Sequence, residues 1–528
     1  MVRMIRLLVP ALALASLAGT ARADFTLTIL HTNDFHSRFE PISKYDSTCD
    51  DEDNAAGACF GGSARLATAI AAARAEAVNP ILLDGGDQFQ GTLFYTYYKG
   101  KMAAEFMNRL GYDAMTVGNH EFDDGPEVLR GFIEAVDFPV LMSNADVSAE
   151  PDLADVIRKS AVVEIGGEKI ALVGLTTVDT AEISSPGRNV VFIPEVEAVQ
   201  VEVDRLTAEG IDKIIVLSHS GYAVDKEIAA QTSGIDVIVG GHSHTYLASD
   251  DDKAAGPYPT MVGDTAIVQA YAYGKFLGEL TVVFDDAGKL VSAQGAPLLM
   301  DAAVTEDPDV VARVDELAQP LDEIRNNVVA EAAAPIDGAR ESCRHGECQM
   351  GNLVADAMLA RVRDQGIVMA LQNGGGVRAS VDGGDITMGE VYTVLPFQNT
   401  LSTFFVTGAT IKEALENGML QFDEPEKDGR FPQVSGMTFT FDPAAPTGER
   451  ISDIMVIEEG GPVPLDPEKV YGVVSNNFVR GGGDGYAMLR DAQNAYDFGP
   501  DLAEVVADYL ASNSPYTAYT DGRIHKAE

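Results

Sequence analysis

Ile29-Leu30-His31-Thr32-Asn33-Asp34-Phe35-His36 is the stretch on which the reading of the fold turns. An apolar, β-like run over 25–30 ends in a polar cluster that holds a carboxylate and an imidazole two residues apart. Both are ligands for a divalent cation. The same pattern recurs along the chain. Asp84-Gly85-Gly86-Asp87 follows an apolar run at 81–83, and Gly118-Asn119-His120-Glu121-Phe122-Asp123 follows one at 114–117. Ser218-His219 follows 214–217, and Gly240-Gly241-His242-Ser243-His244 follows 237–239. Six of the eight histidines lie in these clusters, His31 included, and packing alone does not explain that concentration. Ligands gather at the carboxyl ends of strands in α/β sheets.

Outward from these clusters, short apolar runs alternate with helical stretches. Helices are expected over 62–78, 101–110 and 126–136. Strands are expected over 81–83, 114–117, 139–142, 170–175, 213–217 and 237–239. Strands separated by helices predict a layered α/β architecture. The stretch 301–327 is expected to be a helical connector interrupted by Pro320. Beyond it the Asp/His clusters stop. Arg344, Asn373-Gly374-Gly375-Gly376-Val377-Arg378 and Gly481-Gly482-Gly483-Asp484-Gly485 take their place. The expected division is 1–23 signal peptide, 24–300 first domain, 301–335 linker and 336–528 second domain.

The 528 residues suit two domains, and an apolar fraction of 46% is enough for a large core. The net charge of −44 argues against a nucleic-acid polymer as partner. It also requires that any anionic substrate be met by local cations. Residues 1–23 have the form of a secretory signal: Arg3 and Arg6, an apolar core over 7–17, and Ala21-Arg22-Ala23 for cleavage. The apolar run is too short to span a bilayer comfortably, so no membrane anchor is expected after cleavage. The location expected is periplasmic or secreted. Cys49 and Cys59, and Cys343 and Cys348, form two local pairs. Four cysteines allow three connectivities, of which two short loops are the simplest, in an oxidising compartment.

Seven side chains offer nitrogen or oxygen ligation: Asp34, His36, Asp87, Asn119, His219, His242 and His244. That is too many for one ion. Two ions sharing a carboxylate, about 3.5–4 Å apart, could activate a water and hold the oxygens of a phosphoryl displacement. Mixed imidazole and carboxylate ligation suits zinc, manganese, cobalt or iron better than calcium or magnesium. Spacing leaves Asp84 and Asp87 both open as the bridge.

The set His-Thr-Asn-Asp-x-His, Gly-Gly-Asp, Gly-Asn-His-Glu-Phe-Asp, Ser-His and Gly-His-Ser-His resembles the 5′-nucleotidase family of calcineurin-like metallophosphoesterases. The resemblance covers nearly the whole chain and is nearest to the ecto-5′-nucleotidase and bacterial periplasmic branch. It implies a four-layer α/β/β/α metallophosphoesterase domain, a helical linker and a C-terminal α+β substrate-binding domain. It also implies two divalent ions per chain, with zinc expected first and manganese or cobalt as alternatives. Asp34, His36, Asp87 and His244 would surround one ion, and Asp87, Asn119, His219 and His242 the other. His120 and Asp123 match the catalytic dyad, and the nearby carboxylate can orient the imidazole and favour its cation.

For the second half the resemblance implies a nucleotide-binding domain. Arg344 and Arg378 match anion-binding positions, where an Arg fork suits phosphate oxygens. Asn373 matches a nucleoside contact and Asp484 a ribose-hydroxyl acceptor. Phe431 and Phe478 match the rings that stack on the base. Arg340 and Arg430 read as surface charges. The activity implied is hydrolysis of nucleoside 5′-monophosphates. The rivals are 2′,3′-cyclic phosphodiesterase/3′-nucleotidase, nucleotide-sugar hydrolysis, sulfur-compound hydrolysis on the same domain pair, and a non-catalytic exported nucleotide- or metal-binding protein. Oligomeric state is not encoded in any motif.

Overall fold

In the computed structural model, Phe25–Thr32 enters between Phe276–Phe284 and Pro80–Asp84 as a central strand of a six-stranded sheet. The structure describes residues 24–44, 46–49, 51–422, 428–458 and 460–527. The signal-peptide expectation over 1–23 therefore lies outside the described residues. Alternation along the central strand sends Leu27 and Ile29 to one face and Leu30 to the other. The strands Ala114–Thr116 and Val140–Leu141 continue the sheet in parallel.

A second six-stranded sheet lies against the first. It runs Thr260–Val262, Thr265–Val268, Val237–Gly240, Ile214–His219, Glu168–Thr176, Ser160–Ile165. One buried cluster joins Leu27, Ile29, Ile81 and Leu83 of the first sheet to Leu172, Val173, Val216 and Ile238 of the second. Helices Ser63–Glu76, Gly100–Leu110 and Pro126–Ala135 cover the outer face of the first sheet. Helices Glu195–Ala208 and Tyr222–Gln231 cover the second. The result is helix, sheet, sheet, helix. The strands Phe276–Phe284 and Leu290–Leu299 form an antiparallel hairpin on the sheet edge that the sequence reading did not assign.

The C-terminal half is α+β. Its five-stranded sheet runs Pro432–Ser435, Ile367–Asn373, Val470–Asn476, Leu401–Thr407, Gln493–Tyr496. Helices Gln349–Val362 and Leu502–Ser512 pack in the cluster on one face. Gly408–Gly418 and strand Met437–Phe441 of a four-stranded sheet pack in the cluster on the other.

The connector is less free than its sequence suggests. Helix Pro308–Ala318 buries Val310, Val314 and Ala318 in the core of the first half. Arg313 pairs there with Glu105, and Tyr98 Oη donates to the Leu317 carbonyl. Residues 328–332, expected in the linker, form a strand paired with Gly384–Thr387 of the second half. Residues 319–327 lie between these attachments, and there Leu321 is buried in the core of the first half and Arg325 pairs with Glu40. Both cysteine pairs close as expected, Cys49–Cys59 and Cys343–Cys348. Among the described residues no helix is long and apolar enough to cross a membrane.

Candidate functional site

The five polar clusters meet at one edge of the sandwich because parallel neighbours end together. His31 pairs with Leu83 and Thr32 with Asp84, while Thr176 pairs with His219 and Gly240 with Ser218. Two groups form beyond those ends. Asp34, His36 and His244 offer donor atoms within 4.8 Å of one another, and so do Asp87, His219 and His242. Asn119 Oδ1 lies 3.2 Å from His219 Nε2 and 2.9 Å from His242 Nδ1. Asp87 stands between the groups. Its Oδ2 is 3.0 Å from His219 Nε2 and 3.8 Å from His36 Nε2. Asp84 does not reach either group. Its carboxylate accepts from Thr32, Gln88 and the Gly86 amide, and burial pushes its pKa up to about 7. Of the two carboxylates left open by spacing, the structure places Asp87 between the groups.

Asp34, His36, Asp87, His242 and His244 all have φ between 50° and 72°. A non-glycine residue held there costs on the order of 1 kcal/mol or more. Five such positions converge on one point, so the surrounding packing stabilises a geometry that loop preference alone would not choose.

The donor set fits divalent cations. The carbonyls of Phe89 and Gly85 can only accept, so His36 Nδ1 and His219 Nδ1 donate to them, at 3.0 and 2.7 Å. Their Nε2 lone pairs then face inward. The His219 lone pair points at two acceptors, Asp87 Oδ2 and Asn119 Oδ1, an arrangement that only a cation or a proton reconciles. His36 Nε2 likewise faces His244 Nε2 at 3.2 Å. Burial, first among the causes, holds His36, His242 and His244 well below the ordinary imidazole pKa, so they are neutral donors. Burial also opposes charge on His219, but the Asp87 carboxylate outweighs it and lifts His219 to about 10. The protein alone is short of positive charge at that point.

His120 sits beside both groups, its Nε2 4.0 Å from Asp87 Oδ2. Asp123 Oδ2 accepts from His120 Nδ1 at 2.6 Å, and Ser184 Oγ donates to the other Asp123 oxygen at 2.6 Å. Burial disfavours the His120 cation, but Asp123 and then Asp87 outweigh it and raise the pKa. Asp123 is therefore an imidazole partner, although the helix at Pro126–Ala135 follows close behind. His31 lies deeper, bonded to Tyr258 Oη at 2.7 Å, away from the donor atoms.

A cavity of about 420 Å³ joins this corner to the C-terminal half. Asp87, Asn119, His120, His242 and His244 line it from the first half, and Arg344, Arg378, Asn373, Asp484 and Phe478 from the second. Asn373 Nδ2 donates to Asp484 Oδ2 at 2.7 Å, and burial raises the Asp484 pKa. Arg340 and Arg430, expected as surface charges, also line it, and Arg430 is only 8% exposed.

Phe431 needs correction. It is wholly buried between Phe422 and Phe441 and does not reach the cavity. Only its carbonyl serves the site, accepting from the Gly374 amide at 2.7 Å. The ring that does line the cavity beside Phe478 is Phe397, which the sequence reading missed. It lies nearly parallel to the His120 imidazole, with centroids 5.5 Å apart, and 5.6 Å from the Arg378 guanidinium. Its signal was available: an aromatic after Pro396 in polar Gln398-Asn399-Thr400, with no apolar periodicity to account for it.

Comparison with known proteins agrees with this geometry. The family described as calcineurin-like phosphoesterase matches residues 27–246, and the 5′-nucleotidase C-terminal domain matches 328–491. The 5′-nucleotidase of Diplobatis ommata is 38% identical over 95% of this chain and 90% of its own length. That of Bos taurus is 38% identical over 97% and 93%. The crystal structure of a 5′-nucleotidase precursor from Thermus thermophilus is 44% identical and superposes with a TM-score of 0.90, covering 95% of this chain and 99% of that one.

Proposed function

This chain belongs to the 5′-nucleotidase family of calcineurin-like metallophosphoesterases, and from that premise we propose that it hydrolyses nucleoside 5′-monophosphates to nucleoside and phosphate. The observation that carries the reading is the cavity linking the two cation-binding groups to Arg344, Arg378, Asp484 and two aromatic rings. A nucleotide has its phosphate, sugar and base in that order.

Each residue has a role in this reading. Asp34, His36 and His244 would hold one divalent ion, Asn119, His219 and His242 would hold another, and Asp87, placed between the groups, would serve either. Such a pair of ions supplies an activated water and charge stabilisation on the phosphate oxygens. Zinc is the first expectation, with manganese or cobalt as alternatives. Arg344 and Arg378 grip the phosphate with directed N–H donors. His120, oriented by Asp123, stabilises charge near the phosphate and assists the departing oxygen. Asp484 and Asn373 receive the ribose hydroxyls. Phe478 and Phe397 stack on the base; stacking alone accepts any base. The signal-like segment and two disulfides support export to the periplasm or the medium.

The test is phosphate release from AMP, 3′-AMP, 2′,3′-cyclic AMP, ADP and UDP-glucose. It is run with chelator, then with zinc, manganese or cobalt restored. AMP is expected to be turned over best, to fail with chelator and to recover with metal. Strong turnover of the cyclic nucleotide with none of AMP overturns the reading. Binding of AMP without phosphate release favours a non-catalytic protein.

A further inference from the structure

The loop that carries Asp87 has no strand or helix to hold it. Residues 85–91 are irregular, and Gly86 and Asp87 are both left-handed, with φ of 90° and 60°. The amides of Asp87, Gln88 and Phe89 point the same way, into a wholly buried carboxylate. That carboxylate is Glu121, which follows the dyad histidine. Its Oε1 accepts from Gln88 N at 2.8 Å and Phe89 N at 3.2 Å. Its Oε2 accepts from Asp87 N at 3.0 Å and Gly118 N at 2.6 Å.

Three successive amides on one acceptor make a concave anion cradle, here filled by the protein's own side chain. The consequences reach three ligands. Asp87 Oδ1 accepts from the His120 amide at 2.9 Å, so the loop is tied to the turn that bears Asn119. Phe89, at the far end of the cradle, offers its carbonyl to His36 Nδ1. Gly118 completes the fit: a Cβ there would lie 2.2 Å from Asp87 Oδ1 and 2.8 Å from Glu121 Oε2.

Resting on the two-ion reading, we infer that Glu121 is a positioning residue. Its carboxylate sets the left-handed conformation of Asp87 and the spacing between Asp87, Asn119 and His36. It touches neither ion nor substrate. An amide cannot replace it, because all four contacts are donors: whichever way a Gln is turned, its NH₂ meets two amide N–H groups. Glu121→Asp keeps the charge but is one methylene too short to reach all four amides.

The test uses the full chain, stripped of metal and titrated with Zn²⁺ or Co²⁺ against a chromophoric chelator. The wild type is expected to take up two ions. Glu121→Gln is expected to bind them about 10- to 100-fold more weakly, the range for removal of an outer-shell partner. Its cobalt absorption spectrum should shift, and turnover should recover with excess metal while KM for AMP stays constant. Glu121→Asp should fall between. The metal-free Gln variant should melt only slightly below the metal-free wild type, by the few degrees that the opposed N–H groups cost. Wild-type affinity and an unchanged cobalt spectrum in Glu121→Gln overturn the inference. So does a metal-free variant that melts far below the metal-free wild type, because the carboxylate would then hold the fold rather than the ligands. A wild type that takes up fewer than two ions overturns the two-ion reading itself, and the inference with it.

Discussion

The two ends of the cavity are built by different rules. At the metal end, the donors come from strand-end clusters, and most of them occupy strained left-handed positions. At the nucleotide end, Arg344, Asn373, Phe397, Phe478 and Asp484 come from a strand end, a short helix and turns up to 140 residues apart, between 344 and 484. His and Asp are chemically marked, so a cluster of them declares itself. A phenylalanine carries no such mark, since the same ring serves a core or a base equally well. The first end is specified by residue type, the second by where the chain happens to place a common residue.

Five substitutions test that contrast. The largest effect is expected at the metal end. His120→Ala should lower kcat for AMP by about 10²–10⁴ with little change in KM; a change confined to KM would make His120 a binding residue only. Arg378→Ala should raise KM more than it lowers kcat. Loss of a charged hydrogen bond of about 1.5–3 kcal/mol predicts a roughly 10- to 150-fold loss of kcat/KM; a loss shared by an unphosphorylated nucleoside competing for the site would place Arg378 off the phosphate.

The rings give the sharpest comparison. Phe397→Ala should weaken AMP binding by about 1–3 kcal/mol, read as KM, and leave the melting temperature nearly unchanged. Phe431→Ala should do the reverse, costing about 3–5 kcal/mol of stability through a core cavity. The opposite assignment would restore Phe431 as the stacking ring. The smallest effect is expected at Glu182, which faces Arg430 across the halves at 3.6 Å and is half exposed. Glu182→Gln should change kcat/KM by less than about fivefold, as exposed pairs contribute at most about 1 kcal/mol.

Much of the first half was legible. Its strands and helices follow apolar runs, and the expected helix over 126–136 forms at Pro126–Ala135 with its proline in the first turn. Pairing of Cys343 with Cys348 was also readable from their proximity. The edge hairpin was not, because Leu290–Leu299 is mostly exposed or half-buried and contains Gly295 and Pro297, which dilute the strand signal. The connector helix was expected, and it forms at Pro308–Ala318, but its docking was not legible. Its apolar stripe, Val310, Val314 and Ala318, is visible, but which half it covers depends on tertiary placement. Glu121 was hidden in plain sequence. Nothing in Gly-Asn-His-Glu-Phe-Asp says that its fourth residue turns back to collect the amides of a loop 33 residues earlier.

The arginines at the cavity have a consequence for the timing of encounter. They are enclosed in a chain of net charge −44. A phosphate dianion diffusing in from a distance meets repulsion first and reaches the attractive guanidinium groups only at contact. Salt screens the long-range part, over about 10 Å at 0.1 M, and touches the buried contacts much less. Moderate salt should therefore hasten arrival rather than slow it, so that kcat/KM for AMP rises with ionic strength where steering by an open basic patch would make it fall.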